Sequence, residues 1–389
     1  MQRRRILALS GAATAAMIGG YQTYASLSGS PDNTSLDRDQ PNRGSGDTDT
    51  LVPEESYESR EGDLLTGITP GVLDRSGLEA LDSWLDLHHA IQVNFVDVGM
   101  SHDGISYYLE ETLEDIWGRR RVPMVMLQPA IEEDGETSSE VNRHIAEGEH
   151  DELFETWADE FAAWIHAEEY PRRAYINFAP EFNGDWSPWS PAVGDTDETD
   201  FVEMWRRVHD MFTDVGLDNE HIQWVWAIDT STRGVDVPSC YPGDGYVNWV
   251  GIHGYNWQRW GRWMSPAEHY DRVLETARSI TDRPIAFTEF ATSAQVEDGY
   301  DPGRKSEWIS DAYAYFLKED VRMACWYNDE PDADWAIFGG EHGVETVTVE
   351  DTEYRVYPAY RDAVSNSGML GAHSSHPQIL STEEFQGTF

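Results

Sequence analysis

Lysine is nearly missing from this chain of 389 residues: Lys305 and Lys318 are the only two, and the other basic residues are arginines. Basic charge as a whole is scarce, with 27 Lys and Arg against 72 Asp and Glu, a formal net charge of −45 and a pI near 4.3. That balance argues against nucleic acid as a partner, because phosphate binding needs a basic surface. It disfavours anionic lipid headgroups for the same reason. The acid is not confined to a tail, since some lies before residue 63 and much more runs through the aromatic-rich body. An acidic, lysine-poor surface suits concentrated salt, where the Debye length shrinks to about 3 Å at 1 M and self-repulsion is screened. A halophilic protein is the expectation.

Cysteine is equally sparse. Cys240 and Cys325 stand alone, which excludes a disulfide framework and zinc-type spacing, and leaves open a single bridge between them. Cys325 lies in an apolar run and reads as a small core residue. Long hydrophobic runs are missing too. The apolar stretch from Ile6 to Gly20 is short for a membrane span. Preceded by Arg3-Arg4-Arg5, it reads as a secretory signal over residues 1–27, and the paired arginines resemble a twin-arginine export signal. No A-x-A site precedes Ser26, so an uncleaved N-terminal anchor is the alternative, and no cysteine follows to accept a lipid. Residues 28–63, rich in Ser, Gly, Pro, Asp and Asn, read as a disordered acidic linker. The expected location is secreted or at the cell surface.

What is present is a large apolar payload: 40% hydrophobic residues, with 16 Trp, 18 Tyr and 13 Phe, enough for a sizeable core. After residue 63, eight short apolar runs alternate with amphipathic stretches. They are Leu64–Thr69, Ala90–Val98, Val122–Gln128, Ala174–Ala179, Ile222–Ile228, Val247–Tyr255, Pro284–Phe290 and Arg322–Tyr327. Most are apolar at consecutive positions, the pattern of parallel strands buried on both faces. Helical spacing joins Phe154, Trp157, Phe161 and Trp164, and likewise Met204, Val208 and Met211. Ser76 with Glu79, and Ser265 with Glu268, read as capping boxes, the second with Pro266 at the first helical position. Ser231–Gly245 is mostly loop, and Ile131–His150 is a long acidic loop expected to be solvated surface. Eight units in about 300 residues predict a (β/α)8 barrel of the TIM type, one catalytic domain over residues 64–366 with a C-terminal tail at 367–389. A doubly wound sheet would want a Gly-rich turn after the first strand, where Thr69-Pro70-Gly71-Val72 carries no phosphate fingerprint.

In such a barrel, polar residues at the C-terminal strand ends read as catalytic, because the strand bodies are filled by packing. Glu181 and Glu289 each continue an apolar strand, and strands 4 and 7 lie on opposite arcs of the mouth. Two convergent carboxyls in different environments are what glycoside hydrolysis needs, one protonated as general acid and one ionised. Trp186, Trp189, Trp257, Trp260, Trp263 and Trp326 fall in or beside the mouth loops, where flat apolar faces suit a sugar ring. Asn183 and His253 join Trp186, Trp189 and Trp257 as substrate-binding candidates. His253 lacks His or Asp partners at metal spacing, so no metal is expected, and no cofactor. Asp97 and Asp229 could contact hydroxyls or cap loops; His102 is a lone residue of the same kind.

Three ordered segments resemble glycoside hydrolase family 26. They are Ala179-Pro180-Glu181-Phe182-Asn183-Gly184-Asp185-Trp186; Tyr241-Pro242-Gly243-Asp244 running through Val247–Ile252 to Gly254-Tyr255-Asn256-Trp257; and Arg283-Pro284-Ile285 leading to Thr288-Glu289-Phe290. The resemblance implies a retaining mechanism with Glu181 as acid/base and Glu289 as nucleophile. It implies that Tyr255 hydrogen-bonds the nucleophile and that Trp326 floors the sugar subsite at the cleavage point. On this reading Glu181 is to owe its proton to burial beside Trp or Phe. The family's β-mannanases typically carry His before the acid/base Glu and Arg four positions before it; here Pro180 and Asn177 stand there, and Phe182 replaces a common Met. These departures leave the two-carboxylate chemistry intact and weaken the case for mannan. The expected function is a secreted endo-β-glycosidase on a polysaccharide of the mannan, glucan or xylan class. The alternatives are a catalytically silent polysaccharide-binding barrel, which need not keep both Glu181 and Glu289, and a structural cell-envelope protein held by the N-terminal anchor.

Overall fold

The computed structural model describes residues 62–389 apart from 134 and 135. The expected export signal and nearly all of the linker lie outside the described residues. Eight parallel strands close on themselves: β1 (Leu64–Thr69), β2 (Ile91–Asp97), β3 (Val122–Gln128), β4 (Ala174–Phe178), β5 (Ile222–Asp229), β6 (Trp249–Asn256), β7 (Ile285–Thr292) and β8 (Met323–Tyr327). Each pairs with the next, and β8 pairs with β1 along Leu65↔Met323 to Thr69↔Tyr327, which completes the barrel. The (β/α)8 architecture expected from the consecutive apolar runs is the one observed.

Side-chain alternation divides the apolar residues into two cores. Leu65, Val93, Met124, Tyr175, Val225, Trp249, Ala286, Met323 and Cys325 fill the barrel interior. Their neighbours along the strands face outward into a larger shell beneath the helices. The interior is thus packed solid, and polar chemistry is left to the strand ends.

The helices α1 (Arg75–Leu85), α2 (Asp151–Ile165), α3 (Glu198–Asp214), α4 (Pro266–Ile280) and α5 (Pro302–Lys318) carry the outer shell. The capping box at Ser265 and Glu268 forms as expected, with Pro266 opening α4. At α1 the expected box is replaced by Asp74, whose carboxylate accepts from Gly77 N at 2.8 Å and from the Ser76 hydroxyl at 2.8 Å. An ionised acceptor two residues earlier outcompetes the Ser76 hydroxyl for the free N–H groups. Between β5 and β6 the chain makes only a short 3-10 turn, Val237–Cys240.

Two further expectations are corrected. The acidic loop 131–150 contains a short hairpin and a helix, Val141–Glu147, whose Val141 and Ile145 are buried. The segment expected as a tail is folded against the barrel. Met369–Leu370 pairs with β1, and Ile379, Leu380 and Phe385 close the interior from its N-terminal end. Tyr175 in β4 donates its hydroxyl to Phe385 O at 3.0 Å, which ties this plug to the interior. Cys240 and Cys325 are both free and buried, so the bridge left open by the sequence does not form. Among the described residues no helix is long and apolar enough to cross a membrane.

Candidate active site

The strand ends deliver three titratable side chains to one point. His253 lies on β6, on the inward parity shared with Trp249, Gly251 and Tyr255. Glu289 lies on β7, where the register with β6 slips: Ile252 pairs with Phe287, but the next pair is His253 with Glu289. The extra residue makes a β-bulge, and such bulges re-aim side chains at barrel rims. Phe287 and Phe290 both pack outward against Phe316 of α5, so the two residues between them face in. The bulge therefore puts Glu289 directly beside His253. Glu181 sits just past β4 in a turn where it and Ala179 adopt φ of 55° and 46°. Left-handed backbone at two non-glycine residues costs on the order of 1–3 kcal/mol each, and such strain clusters at functional sites.

His253 Nδ1 lies 2.8 Å from Glu181 Oε1 and 3.3 Å from Glu289 Oε2. The coordinating atoms of the three side chains all fall within 4.8 Å of one another. Tyr255 donates its hydroxyl to Glu289 Oε2 at 3.0 Å, and Trp186 donates its indole N–H to Glu181 Oε2 at 2.7 Å. Glu289 Oε1 is buried and accepts no hydrogen bond among the described residues. Trp186 folds back over the turn because residue 184 is glycine; a Cβ there would come within 2.4 Å of the indole ring. Spacing alone would let the three groups hold a cation, but His253 Nδ1 and both Glu181 oxygens are already engaged in hydrogen bonds.

Burial dominates the electrostatics. Glu289 is 2% exposed, and desolvation raises its pKa to about 7; His253 and the Tyr255 hydroxyl oppose that rise while Glu181 adds to it. Burial pulls His253 down, but Glu289, Glu181 and Asp229 outweigh it, and the net direction is up. Asp229 is raised to about 8, first by burial and then by Glu181. The expectation that burial would fall on Glu181 is corrected: its side chain keeps 18% exposure at the open turn, whereas the Glu289 side chain keeps 3% on the strand.

The aromatic expectations divide. Trp186 touches the acid/base candidate, as above. Trp257 is 3% exposed, donates to Gln295 Oε1 at 2.7 Å and packs between Trp260 and Trp335. Trp260 is the open edge of this wall at 48% exposure, and Trp263 is half-buried beneath the Arg304 guanidinium. Trp189 is no platform; its ring is buried and its indole N–H goes to Pro180 O at 2.7 Å, bracing the turn under Glu181. Asn183 is also withdrawn from the cleft. Its amide bonds both the N–H and the C=O of Asp229, clamping the β4 turn to the end of β5. Asp229 caps its own loop through Ser231 N at 2.5 Å. Asp97 stands exposed at the end of β2, and His102 pairs with Glu160 on the exterior at 2.8 Å.

Trp326 is the clearest correction. On β8, Met323 and Cys325 point inward, so Trp326 has the outward parity. It is fully buried against Phe290, Trp308 and Tyr360, and its N–H is spent on Trp335 O at 3.0 Å. It floors no subsite. Trp326→Ala is accordingly expected to cost about 3–5 kcal/mol of stability, the range for large aromatics removed from cores. Chemical denaturation should read this as a lowered midpoint, with the fraction that stays folded retaining its KM.

The residues on the inward side that sequence reasoning missed are Tyr327 and Trp335. Both rings pack on Tyr255, with centroids 5.4 and 5.3 Å away. Trp335 belongs to the loop after β8, which is stapled by Lys305 of α5. This lysine is fully buried, donates to Ala336 O at 2.9 Å and to Asp334 O, and faces the Tyr357 ring. Burial lowers its pKa to about 8, against the pull of Asp334. The sequence offered no signal for Trp335 beyond the scarcity of lysine, one of whose two copies holds its loop.

No family model matches the chain. Along 221 residues it is 31% identical to Endoglucanase H of Acetivibrio thermocellus, a match that takes in 54% of this chain and 21% of that protein. The chain thus spans about a fifth of the length of this curated relative. Solved structures with a similar fold include the catalytic domain of a family 26 endo-β-1,4-mannanase from a Bacillus species, with a TM-score of 0.59 and 14% identity over 82% of this chain and 90% of that one. A modular endo-β-1,4-mannanase from Cellulomonas fimi gives 0.55 and 16% over 82% and 75%. A mannanase from Bacillus subtilis gives 0.54 and 17% over 80% and 87%. At these identities the likeness establishes the fold.

Proposed function

We propose that this protein is a retaining endo-β-glycosidase similar to glycoside hydrolase family 26, and that it hydrolyses an extracellular β-linked polysaccharide. The observation that carries the reading is the carboxyl pair. Retaining enzymes hold their two carboxyls about 5–5.5 Å apart, and inverting ones about 6.5–9.5 Å apart to admit a water. One oxygen of Glu181 lies within 4.8 Å of one of Glu289, a closeness that supports the retaining reading. Glu289 Oε1 is the attacking atom, since Tyr255 and His253 hold only Oε2. Glu181, less buried and tethered by Trp186, is the acid that protonates the leaving oxygen and then the base that activates water. Trp260, backed by the buried rings of Trp257 and Trp335, is the aromatic face offered to the sugar chain.

A β-glucan is the substrate we favour over mannan. The sequence relative is an endoglucanase, and Asn177 and Pro180 replace the Arg and His typical of the mannanases. Export by the twin-arginine-like signal and operation in concentrated salt belong to the same proposal. Reducing-end release from mixed-linkage glucan, mannan and xylan in molar salt tests it. Release from glucan is the expected outcome, and binding to any of the three without release would favour the silent barrel instead.

The ionisation of Glu289 should set the acid limb of kcat/KM. A nucleophile must be deprotonated, so activity is expected to climb through pH 7, where burial has placed this group, rather than near the ordinary glutamate value. A limb below pH 5 would show that the nucleophile is solvated.

A further inference from the structure

Resting on the two-carboxylate reading, we propose that His253 is a positioning residue whose single Nδ1–H serves Glu289 and Glu181 in turn, keeping one buried cation opposite whichever carboxylate is ionised. The geometry is that of a shared donor. Nδ1 is 2.8 Å from Glu181 and 3.3 Å from Glu289, so a small rotation of the ring exchanges the nearer partner. The ring is 1% exposed, and water cannot substitute for it. Its other nitrogen, Nε2, faces the Asn177 side-chain amide at 3.3 Å, and Asn177 Oδ1 is buried with no partner among the described residues. Turning that amide over would let the carbonyl accept from Nε2–H, so the pocket accommodates a doubly protonated ring.

The chemistry moves one negative charge between the two partners. In the first step a bond forms from Glu289 Oε1 to the anomeric carbon, the glycosidic C–O bond breaks, and the leaving oxygen takes the proton of Glu181. Glu289 becomes a neutral ester and Glu181 a carboxylate. In the second step water oxygen bonds to the anomeric carbon, Glu181 takes the water proton, and Glu289 departs as a carboxylate. The charge thus passes from Glu289 to Glu181 and back, over less than 5 Å, and at the Glu289 end it is buried away from solvent. A fixed imidazolium within reach of both avoids an unpaired charge at either stage. The charged or titratable groups facing the ring are Glu181 past β4, Asp229 on β5, Glu289 on β7 and, through Glu289, Tyr255 on β6. Carboxyls in the majority favour the protonated ring, the direction in which its pKa is displaced.

Two measurements on the full-length protein in molar salt test this. In 15N-histidine spectra the His253 signal, identified by its loss in His253→Asn, should show both ring nitrogens protonated at pH 7. Glu181→Gln and Glu289→Gln should each lower its pKa. A singly protonated ring at pH 6, or a pKa that neither variant moves, would overturn the proposal without reference to turnover. In kinetics on whichever polysaccharide the wild type cleaves, His253→Asn should lose about 100-fold or more in kcat. Its acid limb should move to higher pH, because Glu289 has lost its cation. A purely structural histidine would lower the folded fraction and leave the pH profile in place, and that result would also overturn it. A wild type inert on every polysaccharide refutes the glycosidase reading, while the spectra still decide the shared donor.

Discussion

Glu289→Gln should abolish turnover, by at least about 10⁴-fold in kcat, because no other group can attack the anomeric carbon. Glu289 Oε1 is the buried oxygen without a hydrogen bond, and the neighbouring Tyr255 and Tyr327 offer no anionic replacement. The same substitution should stabilise the fold above pH 7. A carboxyl whose pKa is raised in the folded state binds its proton more tightly there than in the unfolded chain. Its burial is therefore harmless below the unfolded value of 4.5, and costs stability as pH rises from there through about 7. At about 1.4 kcal/mol per pH unit the penalty is on the order of 3 kcal/mol, and glutamine removes it. The melting temperature of Glu289→Gln should exceed that of the wild type at pH 8 and converge on it near pH 4. Loss of activity with a lower melting temperature at pH 8 would mean that Glu289 is a structural partner of His253 and not a nucleophile held under strain.

Glu181→Ala separates the two roles further. Substrates whose leaving group departs without a proton should still glycosylate Glu289, and the intermediate should then accumulate for want of a base. Azide needs no base and fits the space vacated by the side chain, so it should restore turnover and yield the β-azide, with retained configuration. An α-azide would place the water on the opposite face and make the enzyme inverting.

The strands were legible because a parallel barrel buries both faces of each. Consecutive apolar residues such as Val122–Leu127 have no other use in a chain this acidic. The carboxyl pair was legible for the complementary reason: Glu181 and Glu289 interrupt or end runs that are otherwise unbroken. Parity was not. The sequence placed Trp326 at a strand end but could not say which way it faced, since inward and outward positions of a buried strand are equally apolar. In the structure Cys325 fills the interior, which leaves the next residue, Trp326, facing outward. The bulge at Thr288–Glu289 has no composition of its own, so the meeting of His253 with Glu289 could not be read either. Trp335 was missed because it follows β8 by several polar residues, in a loop held by a lysine whose role appears only in three dimensions. Asn183 and Trp189 lay within the segment that carried the family resemblance, yet both support the turn rather than face the substrate.

Removing salt should destabilise the protein and slow it together. With a net charge of −45, the barrel carries acid on nearly every exposed helical face, including Glu155 and Asp159 on α2 and Glu203 and Asp210 on α3. Several of the described arginines are engaged in ion pairs: Arg207 with Asp151 at 2.5 Å, Arg143 with Glu140 and Asp200, Arg119 with Asp115. Exposed pairs of this kind contribute about 0–1 kcal/mol each, too little to offset the surplus. At 0.1 M salt the Debye length is about 10 Å, long enough for neighbouring helices to repel one another; at 1 M it is about 3 Å, and that repulsion is screened. Melting temperature and kcat/KM are therefore expected to rise from 0.1 M towards several molar KCl or NaCl, and to do so with either salt, because screening depends on ionic strength rather than on the identity of the cation. The active-site cluster itself should be nearly indifferent, since Glu289 and His253 are buried where mobile ions do not reach. The acid limb of the pH profile should thus stay in place while stability climbs. A melting temperature that is flat or falls with salt would show that the acidic surface is not what limits the fold.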